Sequence, residues 1–143
     1  MTKEHLLEIG RQLQERCNYL KEIESLTEQA LDAFGRNDTR AAAEALKLRG
    51  EQMEQADVCM EQVGLLMRNL TAEEFSAMDR LMHTQSLSDE ALYRGFSDEE
   101  REAAARIAAA ALRSRAVLKD TIGKDKVMNQ RIAGKNTFYQ EKD

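Results

Sequence analysis

Leu6, Leu13, Leu20, Thr27 and Phe34 recur every seven residues, with Ile9, Arg16, Ile23 and Ala30 repeating the step three positions later. Alternating steps of three and four return side chains to one face of a helix, so the spacing predicts a heptad seam over residues 3–34. Gly35 follows and is expected to supply a left-handed stop, with Asn37, Asp38 and Thr39 as caps for the next helix. A second stripe of Leu46, Arg49, Met53, Ala56, Met60, Val63, Met67 and Leu70 predicts a helix over residues 39–70. At 1.5 Å rise per residue both helices would be roughly 48 Å long. Equal lengths joined by so few residues predict an antiparallel hairpin.

The stretch LTAEEF puts Thr71 and Glu74 at capping-box spacing, with Leu70 and Phe75 at the positions of a hydrophobic staple, and opens a helix over residues 72–84. That helix carries Phe75, Met78, Leu81 and Met82. A one- or two-turn helix after Ser88 is expected to close at Gly95. Ser97 and Glu100, in FSDEE, repeat the capping pattern and open a last long helix over residues 98–133, followed by Gly134 and a flexible tail over residues 134–143. The stripe of the last helix is Ala104, Ile107, Ala111, Ser114, Leu118, Ile122, Met128 and Ile132. Asp125 and Asn129 interrupt it, so its far half is expected to be a poor core element.

These elements give an all-α fold class: a long antiparallel helical hairpin, a third long helix and short connecting helices, in one elongated, coiled-coil-like bundle domain over residues 1–143. The absence of proline and an aromatic content of 5% beside 33% charged residues favour long solvent-washed helices over a sheet. Two helices alone bury too little to offset the entropy of ordering them, so the third must pack on the hairpin, leaving a fourth place for a partner helix.

Two arginines sit on the seams. With the turn centred near Arg36 and Asn37, residue i faces residue 73 minus i, which sets Arg49 opposite Glu24 and Arg16 opposite Asp57. A partly buried cation needs such a partner unless its long side chain carries the charge out to solvent, and both arrangements fit the spacing. The same register leaves Cys17 and Cys59 out of step, and with no CxxC spacing they are expected to be buried free thiols.

Charge divides unevenly. Residues 1–105 carry 12 basic and 22 acidic side chains, residues 106–135 carry 8 and 2, and the last eight carry 1 and 2. A basic final helix beside an acidic hairpin is expected to serve intramolecular complementarity. The basic segment lacks interleaved aromatics, so nucleic-acid binding is the weaker reading. No stretch approaches the roughly 20 apolar residues of a membrane span, and the start is too charged for a signal peptide, so no membrane insertion and a cytoplasmic location are expected.

Catalytic chemistry is not visible. The chain has no glycine-rich phosphate loop, HExxH or nucleophile elbow, and its two histidines, His5 and His83, lie in separate helices. His83 and Asp79 share a helix face, which gives two ligands and not a metal site. The expectation is a protein that is not an enzyme and holds no cofactor. Binding is better marked. Met53, Met60 and Met67 align on one heptad position, and methionine either adapts to varied partner surfaces or, as the ordinary alternative, fills the core. Glycines at 10, 50, 64 and 123 weaken their helices and allow shifts.

The segments ALDAFGRNDTRAAAEALKLRGEQMEQAD and LRSRAVLKDTIGKDKVMNQRIAGKNTFYQ, with the capped helix between them, resemble bacterial flagellar export chaperones of the FlgN and FliT type over nearly the whole chain. Leu46, Arg49 and Met53 match the leucine, arginine and apolar residues of the second hairpin arm. Leu118 and Asp120 match the middle of the late helix, and Tyr139 the aromatic tail. Only Asn129 and Asn136 stand for the asparagine-rich stretch of FlgN-like final helices, which leaves the choice between the two families open.

The resemblance implies a cytoplasmic chaperone that holds the amphipathic helical end of a secreted flagellar protein, the hook-filament junction or cap subunit, before type III export. The residues expected to meet that partner are Met53, Met60, Met67, Leu118, Ile122, Met128, Ile132, Phe138 and Tyr139, the last two as a contact or as a latch. The competing arrangement is a structural coiled-coil adaptor that homodimerises through the same stripes.

Overall fold

A computed structural model describes residues 1–142, with side chains through Ile132. Its described residues form four α-helices, α1 (Lys3–Gly35), α2 (Thr39–Leu66), α3 (Ala72–His83) and α4 (Arg101–Lys142), with a single 3₁₀ turn at Glu90–Tyr93. The fold is the all-α bundle that the stripes predict, and α1 and α2 form its antiparallel hairpin.

α1 starts where Thr2 accepts the amide of His5 and buries one face throughout: Leu6, Ile9, Leu13, Leu20, Ile23, Thr27 and Ala30 are all inside. Its end differs from expectation. Gly35 remains helical and Asn37 takes the left-handed conformation, with φ 58°. The Asn37 amide bonds the Phe34 carbonyl, and the Asp38 amide reaches back to Ala33 at 2.8 Å, the paired bonds of a Schellman closure. Asparagine tolerates this region at little steric penalty, so the stop falls two residues beyond the glycine. Asp38 then caps α2 through the Ala41 amide.

α1 is the spine. It packs against α2 on one side and α4 on the other, while α2 and α4 make no close backbone approach to each other. α4 runs parallel to α1 about a hundred positions later: Arg113 bonds Gln14, Lys124 bonds Glu28, and Arg131 reaches the Leu31 carbonyl.

α3 fills part of the space between α2 and α4. The expected capping box is present, with Thr71 and Glu74 each accepting the other's amide, while Phe75, meant for the staple, stands 53% exposed. The Met1 ammonium lies 2.6 Å from Glu74, which pins the start of α3 to the start of α1. Arg115 of α4 terminates α3 by donating to the carbonyls of Met82 and Thr84, two acceptors left open at a helix C-terminus. The chain returns through the 3₁₀ turn and Gly95, at φ 93°, to the second expected capping box at Ser97 and Glu100.

The core is accordingly uneven. Leu6, Ile9, Val63, Met78, Leu81 and Ile107 meet in a four-helix cluster at the α3 end, each stabilising by about 1.5–3 kcal/mol. Beyond α3 the middle cluster has only Leu20, Ile23 and Ala56 fully buried. A third cluster joins Ala30, Ala45 and Met128 near the hairpin turn.

This last cluster corrects the expectation for α4. Its far half is anchored, because Met128 is 3% exposed, Ile132 packs beside it and Asp125 pairs with Arg49. The helix also passes Gly134 and runs through Lys142, beyond the end expected at 133.

Candidate functional site

Where α3 ends, the space between α2 and α4 stays open. The resulting slot, about 210 Å³, has a floor of Leu20 and Ile23 from α1 and Ala56 from α2. Met53 forms one wall from α2, and Leu118 and Ile122 the other from α4. Met53 is 46% and Ile122 53% exposed, so each wall of the slot presents a large apolar side chain that the described residues leave about half uncovered. Ile122 points outward because Thr121 takes the inward position, where its hydroxyl is satisfied by the Val117 carbonyl at 2.8 Å.

A charged network crosses the slot. The Arg49 guanidinium donates to Asp125 and, at 3.2 Å, to the buried hydroxyl of Thr27. The hairpin register is close to that expected, since Thr27 meets Arg49 and His5 meets the Leu66 carbonyl, but the pairing is not. Arg49 keeps its bond to Thr27 of α1 but takes its acid from α4, and Glu24 lies instead 3.4 Å from Lys124. Glu28 and Glu24 raise the pKa of that lysine. Arg16 and Asp57 both line the slot and form no ion pair among the described residues. The complementarity expected between the basic last helix and the acidic hairpin is thus realised at Lys124 and reversed at Asp125.

The structure divides the sequence-predicted site residues. Met53, Leu118 and Ile122 come together in the slot. Met60 and Met67 pack against the four-helix cluster, because the short α3 covers the part of the stripe they occupy. Met128 is buried in the cluster near the turn, and Ile132 packs partly buried beside it, away from the slot. Phe138 and Tyr139 lie outside the described side chains. Leu20, Ile23, Ala56 and Thr121, with the charged Arg16, Arg49, Asp57 and Asp125, complete the slot and were missing from the predicted set; the first three are seam residues that α3, only 12 residues long, cannot reach.

A larger hollow, about 800 Å³, runs along the opposite groove of α1 and α4, lined by Gly10, Ala103, Ala105 and Ala109 beside Leu7 and Leu87. Its rim is internally satisfied: Arg11 bonds Glu8 and Glu15, Arg106 bonds Glu102, and Arg113 bonds Gln14. In the slot Arg49 and Asp125 are paired, but the large apolar side chains of Met53 and Ile122 stay exposed, which makes it the better candidate for a partner.

Among the described residues no cluster of three or more His, Cys, Asp or Glu is placed to hold a metal ion. His83 lies 3.1 Å from Asp79 on an exposed face. Cys17 and Cys59 are buried and free, and burial pushes the Cys59 thiol up from its ordinary value. Among the described residues no helix is long and apolar enough to cross a membrane. No protein-family model, curated protein or solved structure matches this chain.

Proposed function

We propose that the protein is a helix-capturing chaperone of the flagellar-export kind, holding the amphipathic helical end of a hook-filament junction or cap subunit in the slot beyond α3. The observation that carries this reading is the half-filled space between α2 and α4: α3 shows that the space accepts a helix, and beyond Thr84 the same space is bordered by exposed Met53 and Ile122. A helix laid there would cover both side chains and thicken the thin middle cluster, at about 25 cal/mol for each Å² of apolar surface buried. In this reading the protein is cytoplasmic and works by shielding its partner's apolar face, not by chemistry.

Fluorescence anisotropy with a labelled helical peptide from the end of such a subunit tests it. The expected result is a one-to-one complex that Met53→Glu with Ile122→Glu weakens at least tenfold. Both positions are about half exposed, so circular dichroism should show the helices intact. Unchanged affinity in that variant overturns the assignment. Concentration-dependent self-association of the free protein, abolished by the same substitutions, would instead support the homo-oligomeric adaptor.

A further inference from the structure

Outside the Arg49–Asp125 pair that crosses it, the slot is bordered by exposed charges of opposite sign that form no ion pair among the described residues. On α2, Glu54 and Glu61 stand three positions before and four after Asp57, and side chains at those spacings are neighbours on a helix surface. On α4, Lys119 and Lys126 hold the same relation to Ile122. Asp57 and Ile122 both line the slot, so an acidic row borders the α2 wall and a basic row the α4 wall, while Arg49 and Asp125, the opposite charges on those walls, neutralise each other across the slot. All five charged side chains belong to exposed residues, and none takes part in an ion pair among the described residues. The larger groove of α1 and α4 differs in this respect, its rim charges being paired within the protein.

We propose that the slot selects a helix with segregated charge, carrying lysine or arginine on the flank against α2 and aspartate or glutamate on the flank against α4. This rests on the reading that the slot takes a helix and adds which helix it takes. A partner with one sign on both flanks meets repulsion at one wall. A partner with mixed flanks meets both signs on each side, and the contributions cancel. Turning a helix end for end exchanges its flanks, so the two rows also give a segregated helix one favoured direction.

The test compares two synthetic amphipathic peptides of identical composition with leucine at a and d. One carries lysine at all e and glutamate at all g positions, and the other mixes the two along both flanks. Exposed ion pairs are individually weak and salt-screened, so the segregated peptide is expected to bind about five- to tenfold tighter at low salt, the gap closing near 0.5 M salt. Glu54→Gln, Asp57→Asn and Glu61→Gln together should narrow the difference to the part contributed by Lys119 and Lys126, without changing helicity. A spin label at the N-terminus of the segregated peptide should relax resonances at one end of the slot only. Equal affinity of the two peptides, or relaxation at both ends, overturns the charge inference while leaving helix capture in place. Binding of neither peptide overturns both.

Discussion

Removing the carboxylate of Asp125 should loosen α4 from the hairpin by an amount that the geometry bounds. The Arg49 and Asp125 side chains are 19% and 33% exposed, so their pair lies between two regimes. Fully exposed pairs contribute roughly 0–1 kcal/mol, and breaking a fully buried one costs about 3–5 kcal/mol because a bare charge is left behind. Asp125→Ala leaves Arg49 with the Thr27 hydroxyl and access to water, which places the expected loss at about 1–2 kcal/mol. For a chain of 143 residues the unfolding entropy is about 0.3 kcal/mol per degree, so thermal melting followed by circular dichroism should shift down by roughly 3–7 °C. Arg49→Met combined with Asp125→Leu removes both charges and should recover most of that loss, since apolar replacements of such pairs are often neutral. A shift below about 1 °C for Asp125→Ala, or a double variant as unstable as the sum of the single ones, would show that the network does not hold α4 in place.

Two further outcomes follow from the geometry at the α3 end and on α4. Gly95→Ala should destabilise by about 1 kcal/mol or more because its φ of 93° is unfavourable for any side chain, whereas Gly123→Ala, with open space around the new methyl group, should stabilise by about 0.5–1 kcal/mol; denaturant titration reads both. The amino-terminal ammonium and the Thr71 amide hold the Glu74 carboxyl at about 2, below its ordinary 4.5, and Glu74 in turn raises the amino-terminal pKa above 8.0. A depressed acid contributes stability that is complete above pH 4.5 and lost as pH falls through about 2, and a raised base contributes stability that is complete below pH 8.0 and lost above it. Melting temperature should therefore decline at both extremes in the parent and less steeply in Glu74→Gln; parallel profiles would exclude the clamp as a source of stability.

The parts of the molecule that were legible in the sequence are those set by local physics. The seam of α1 reads directly because one face of a long helix must be apolar wherever it is covered, and Leu6, Ile9, Leu13, Leu20 and Ile23 are all buried. Thr71 with Glu74 and Ser97 with Glu100 read directly because a capping box is closed within four residues. Arg49 is different. Its partner could not be found by folding the chain back on itself, because the acid comes from a helix 76 positions away. Asp125 looked like a defect in the stripe of α4 and is the residue that receives Arg49. Either charge alone argues against its helix being core; only the two together show why both seams tolerate an interruption at the same level.

The same logic explains why a row of three methionines divides into two kinds. Met53, Met60 and Met67 share a heptad position and the sequence gives no reason to separate them, yet Met60 and Met67 pack on the core while Met53 is open. What separates them is the length of α3. Its 12 residues span about 18 Å, and Arg115 closes it by occupying the carbonyls at its end, so coverage of the stripe stops there. An α3 two turns longer would bury Met53 and Ile122 and complete the four-helix bundle. The slot is therefore a consequence of where one helix is capped, and the apolar surface it leaves is where an added helix would contribute most to this fold.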